Sequence, residues 1–151
     1  MKHLKTLLVA ALVTLLSVGT AVADDHSKST TGVQGYDLVS YHTAAGPLRG
    51  NGKNVSVHEG VTYLFVSEDN KSTFEKSPAK YIPAYNGYCA FGVSVGKKFV
   101  SDPDVWKIVD GKLYLNLDKE IQTSWLENVS GRIKDADNHW KTIENKAPSE
   151  L

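Results

Sequence analysis

Apolar residues return every three or four positions near the C-terminus. Ile121, Trp125, Val129, Ile133, Ala136, Trp140 and Ile143 form one stripe, the spacing of an amphipathic helix. Asp118 opens this stretch. Gly131 is the expected break between two helices, with Ser130 capping the second. Upstream the period shortens to two. Leu113, Leu115 and Leu117 alternate with Tyr114 and Asn116, after the β-branched run Val105 to Val109. Between them Asp110-Gly111 is the strongest two-residue hairpin turn in the chain. A second hairpin is expected over Val55 to Val66, turning at Glu59-Gly60. Ser67 then caps a short helix over Glu68 to Lys76, which stops before Pro78. Phe74 and Tyr81 are its core contacts. Shorter pieces read as a helix or turn over Tyr36 to His42, a loop over Gly46 to Asn54, and a short buried helix from about Tyr88 to Val95. No internal repeat is visible. The pattern predicts an α+β fold: a small antiparallel sheet built from hairpins, helices packed on one face, and C-terminal amphipathic helices.

The first 23 residues differ from the rest. Lys2 and Lys5 precede an apolar run, Leu7 to Val18, and Ala21-Val22-Ala23 follows. A basic start, a short apolar stretch and a small-x-small site predict a secretory signal peptide over residues 1–23. The run is short for a membrane span, which takes ~20 residues. Residues 24–34 are polar and rich in Gly, Ser and Thr, and read as a flexible arm. Residues 35–146 form the expected domain and 147–151 a tail. Cleavage after Ala23 removes two lysines and no acid, so the balance of 17 basic and 17 acidic residues becomes 15 against 17, a net charge of −2. No basic excess points to nucleic acid, and the mature chain has no second segment of membrane length.

One cysteine, Cys89, stands in the chain, so no internal disulfide can form. Three readings stay open: a small core residue beside Tyr88 and Phe91, a soft metal ligand, or an intermolecular or redox thiol. In the first turn of a helix its thiolate would be favoured, with His42 or His58 as helpers. His139, beside Trp140, reads as solvated surface. Cleavage would also leave Asp24, Asp25 and His26 at the start. A free amine, two backbone nitrogens and an imidazole at position three can surround Cu(II) or Ni(II) in a plane. No C-x-x-C, H-x-H or H-x-x-E-H pattern occurs.

Catalytic signatures are thin. There is no nucleophile elbow, and Gly46, Gly50 and Gly52 lack the strand-loop-helix context of a phosphate loop. Asp102 and Asp104 flank Pro103 and read as a turn. Asp135, Asp137, Glu120 and Glu127 read as a solvated helix face. Trp106, Trp125 and Trp140 read as core.

The central segment resembles the YHS-domain family, in the form found on small exported bacterial proteins. The resemblance runs from Gly35-Tyr36-Asp37-Leu38-Val39-Ser40-Tyr41 through Tyr63-Leu64-Phe65, Asn70, Phe74, Pro78 and Tyr81. It continues over Pro83 to Ala90, Asp102-Pro103 and Trp106 to Asn116, about Gly35 to Trp140 in all. It implies a small α+β unit related to metal-binding modules, some members of which sit on copper transporters. Such members carry several cysteines. Here Asn70 stands where they often have one and Cys89 is alone, so a cysteine-rich site is not carried over. The expectation is a periplasmic or secreted, non-enzymatic binding protein, taking a copper or zinc ion through Cys89 with histidine help from His42, His58 or His26. The alternative is a structural or interaction module serving an envelope protein partner, with Cys89 buried. Oligomeric state is left open.

Overall fold

A computed structural model describes residues 30–151. The signal peptide, Asp24 to Ser29 of the arm, and His26 with them, lie outside the described residues. The elements run β1 (Thr30–Thr31), 3-10 turns at Gly32–Gly35 and Ser40–His42, β2 (Asn51–His58), β3 (Val61–Phe65), α1 (Glu68–Lys76) and α2 (Pro78–Tyr81). A third 3-10 turn, Ala84–Gly87, leads into α3 (Ala90–Ser94), β4 (Asp102–Val109), β5 (Lys112–Asn116), α4 (Lys119–Leu126) and α5 (Val129–Ile143). The fold is α+β, as the pattern predicts.

Several details differ from expectation, among them Asp102-Pro103-Asp104, which opens β4 and is not a turn. The hairpins do not share one sheet: β3 pairs antiparallel with β2 and parallel with β1, while β4 and β5 pair only with each other. The end of the expected arm is therefore strand, Thr30 and Thr31 lying opposite Val61 and Thr62. Asn51 to Asn54 belong to β2 through a bulge rather than to a loop. The C-terminal helices break at Glu127-Asn128, not at Gly131. The Asn128 side chain accepts from Gly131 N at 3.1 Å and caps α5, because an Asn at that position satisfies an orphan N–H that Gly131 can only donate.

The chain folds as two halves with the same succession of parts. Each opens on a 3-10 turn with three successive positive φ angles, Val33, Gln34 and Gly35 in the first half and Tyr85, Asn86 and Gly87 in the second. A tyrosine follows, Tyr36 or Tyr88, and makes an isolated antiparallel bridge to Arg49 or Val100. A bulged hairpin comes next. Its two-residue turn has positive φ at both positions, Glu59-Gly60 or Asp110-Gly111, the mark of a type I′ turn. A side-chain-capped helix closes each half. Ser67 caps α1 and Asp118 caps α4, and each helix buries one ring completely, Phe74 or Trp125. This is an internal structural repeat. Few aligned positions keep their residue, so it does not stand out in the sequence.

β5 is the wall between two cores. Alternation puts successive side chains on opposite faces. Leu113 and Leu115 join Leu38, Tyr41, Phe65 and Phe74. Tyr114 joins Tyr85, Val93, Trp125 and Ala136 on the other side. Helix α5 has no counterpart in the first half. It packs on α3 and α4, and the chain just past its end is held by buried Lys98, whose Nζ donates to Glu144 O (2.8 Å) and Lys146 O (2.7 Å).

Candidate functional site

Cys89 sits at the N-cap of α3 and is 1% exposed. Its Sγ accepts from Gly92 N at 3.4 Å, and its thiol lies 3.8 Å from Asn116 Oδ1. Burial pushes the thiol pKa up, against the lowering pull of the Gly92, Leu117 and Phe91 N–H groups. This reverses the expected lowering: five residues of helix offer little dipole, and desolvation wins.

The first-half counterpart of Cys89 is Asp37, which is fully buried. Asp37 Oδ1 accepts from Val39 N (2.9 Å) and Ser40 N (3.2 Å). Its Oδ2 accepts from Val66 N (2.9 Å) and Asn70 Nδ2 (2.7 Å). In the second half the same two N–H positions are Phe91 and Gly92. Asn116 Oδ1 takes the first at 3.2 Å and Cys89 Sγ the second. One carboxylate's work is divided between an amide and a thiol. That accounts for a fully buried asparagine at the end of β5 and for the cysteine beside it. Asn116 Nδ2 itself has no partner among the described residues.

The histidines are elsewhere. His42 ends the turn Ser40–His42, with its ring edge-on to Tyr81 at 5.2 Å. Its Nε2 is buried with no hydrogen-bond partner among the described residues. Burial, then the charges of Lys80 and Lys112, hold its pKa below the ordinary value. His58 ends β2, edge-on to Phe74 at 6.2 Å, with Nε2 3.9 Å from Glu59. That exposed pair is worth little. Neither imidazole is among the partners of Cys89. Among the described residues no three His, Cys, Asp or Glu side chains converge as a metal centre. The donors around Cys89 do not fit a soft-metal site. His139, read as surface, is exposed yet places Nδ1 3.1 Å from Ser94 O.

The chemistry that does converge lies in a cleft of about 390 Å³ between the halves. The β2–β3 turn supplies His58 and Glu59. The segment joining the halves supplies Ile82 and Pro83, and the opening turn of the second half supplies Tyr85. Strand β5 supplies Lys112 and Tyr114, and α5 supplies Asp137 and Trp140. Tyr85 donates its hydroxyl to Asp137 Oδ1 at 2.9 Å, and its ring lies 5.6 Å from Trp140 and 6.0 Å from Tyr114. Burial and the Asp137 bond push its phenol far above the usual range, so it stays a donor. Its φ of 56° is unusual for a bulky residue. Val33 shares that conformation, so the strain belongs to the repeat, and the second half uses it to aim a ring into the cleft. Lys112 is half-buried, its pKa lowered by burial, with Nζ donating to Ala79 O at 3.1 Å. A second hollow of about 560 Å³ near the α4–α5 junction carries Asp110 and Glu127 but no cation and no ring.

Asp137 is exposed, in keeping with the solvated helix face expected for it, but its bond to Tyr85 is unforeseen, and sequence reasoning passes over Tyr85 and Lys112. No spacing signal links them: Tyr85 and Asp137 meet only because α5 folds back over the second half. Compared with models of known families, with characterised proteins and with solved structures, the chain matches none.

Proposed function

We propose that the chain is a non-enzymatic binding protein acting outside the cytoplasm, periplasmic or secreted, with its small-molecule site in the cleft between the two halves. The observation that carries this is the convergence there of three rings, a hydrogen-bonded carboxylate and a half-buried ammonium. Sites of this kind favour interfaces between units and combine apolar walls with few polar groups. The export reading rests on residues 1–23, and the YHS likeness on the residues quoted for it. Copper or zinc binding through Cys89 becomes the weaker proposal, since the thiol is sealed and has no histidine partner among the described residues.

The test is a panel of neutral, anionic, cationic and zwitterionic fragments against the isotope-labelled protein, read by NMR. Shifts confined to the cleft residues are expected from at least one fragment. No shift there from any fragment would remove the reading. Elemental analysis of protein isolated from its own compartment addresses the rival. Stoichiometric copper or zinc that is lost in Cys89→Ser would restore the thiolate site.

An interaction module for an envelope partner is the second reading. The observation favouring it is the exposed apolar stretch after α3, where Val95 and Phe99 are each 47% exposed and Val100 72%. Isolated apolar side chains are ordinary on surfaces, but neighbouring ones mark contact sites.

A further inference from the structure

The walls of the cleft narrow the ligand that it takes. Lys112 and Asp137 both line it, yet neither belongs to an ion pair among the described residues. Among the described residues Lys112 Nζ has one hydrogen-bond partner, the Ala79 carbonyl, and an ammonium has three donors. Asp137 takes the Tyr85 hydroxyl on one oxygen, and a carboxylate has about four acceptor positions. The third charge of the lining, Glu59, is exposed and lies 3.9 Å from His58 Nε2, which leaves Lys112 and Asp137 as two opposite charges that face one space without meeting, each with capacity unused. Ile82, Pro83, Tyr85 and Trp140 add apolar surface to the same lining, beside the polar His58, Glu59 and Asn86.

We infer that the cleft takes a small zwitterion of the α-amino acid class, its carboxylate set towards Lys112, its ammonium towards Asp137 and its apolar side chain against Ile82, Pro83 and the rings. This rests on the cleft being the binding site. A ligand with one charge satisfies one wall only: an anion leaves the exposed Asp137 carboxylate unmatched, and a cation strips water from half-buried Lys112 without replacing it, which costs free energy. A zwitterion compensates both walls at once. Rejection of analogues that leave a polar group unpaired is the strongest discrimination such a site can make. A volume of about 390 Å³ is at the low end for small-molecule sites, and suits a single amino acid or a dipeptide over a longer chain.

The experiment titrates the protein with L-leucine and L-phenylalanine by calorimetry, and with the N-acetyl derivative and the primary amide of each. Saturable binding of the free amino acids is expected, weakened at least tenfold by either cap. Lys112→Met and Asp137→Asn should each weaken it at least tenfold. The asparagine still accepts from Tyr85, and Lys112→Arg should retain binding, so lost affinity is separable from lost folding. Capped and free forms binding equally well would overturn the inference. So would cleft shifts from neutral fragments with none from amino acids, although the cleft reading would then stand. Silence from every fragment would remove both.

Discussion

The two halves build one frame and anchor it differently. In the first, a single buried carboxylate, Asp37, gathers four N–H donors from the loop after it, from the end of β3 and from Asn70. In the second, Cys89 and Asn116 divide the corresponding duty. The frame demands acceptors at these N–H groups, because buried donors left unpaired cost about 1–3 kcal/mol each. It does not demand a particular side chain. The cysteine that looks like the chain's most reactive group is thus read best as one solution to a backbone problem that the other half solves with aspartate. The halves differ again where α5 is added. That helix brings Asp137 and Trp140 to the cleft, so the asymmetry makes the site.

The largest effects should come from the two rings that the frame buries at equivalent places. Phe74→Ala and Trp125→Ala are each expected to cost about 3–5 kcal/mol by urea denaturation. Because Leu113 and Leu115 face one core and Tyr114 the other, both variants should still unfold in one transition. Two separated transitions in Trp125→Ala would break the comparison, since the halves would then be independent units without a shared wall.

These two rings also show what the sequence made legible. Phe74 and Trp125 are readable as core from helical spacing, and both hairpins from their Glu-Gly and Asp-Gly turns, because those signals are local. The equivalence of the halves is not. It lives in backbone signs, in Val33-Gln34 against Tyr85-Asn86, where the residues share no chemistry. The polar anchors escape for the same reason: Asp37 against Cys89, and Phe65 against Asn116, exchange polarity between loop and strand. The cleft depends on α5 returning across the opening turn of the second half, a contact between Tyr85 and Asp137 that no short pattern encodes.

The next effects separate the anchors. Asp37→Ala strips an acceptor from four buried or half-buried donors and should cost about 3 kcal/mol or more. Cys89→Ala removes one weak sulfur acceptor and should cost about 1 kcal/mol. Equal losses would mean that the thiol carries more than the geometry assigns to it. A related measurement needs no variant. Labelling of Cys89 by an aromatic disulfide in native buffer should be negligible and should rise in urea along the unfolding curve. Prompt reaction in the folded protein would contradict the sealed thiol and reopen its use as a metal ligand.

The smallest effect joins the halves through charge. His42 belongs to the first half, and one of the two cations that lower its pKa, Lys112, to the second. The imidazole's ordinary value is 6.5, and burial is the first cause of the depression, followed by Lys80 and Lys112. A depressed histidine binds fewer protons folded than unfolded between its two pKa values. Its contribution to stability is therefore whole above about pH 6.5 and is lost as pH falls through the depressed folded value. His42→Phe keeps a ring against Tyr81 and should flatten the stability profile between pH 7 and 5 relative to the parent. Lys112→Met removes one of the cations, so the His42 ring protons, followed by NMR, should titrate at higher pH than in the parent while staying below 6.5. If His42 titrates at or above its ordinary value in the parent, its Nε2 is not dry. If Lys112→Met leaves the midpoint unmoved, the second half's ammonium does not reach the first half's imidazole, and the contact across β5 is weaker than the shared core implies.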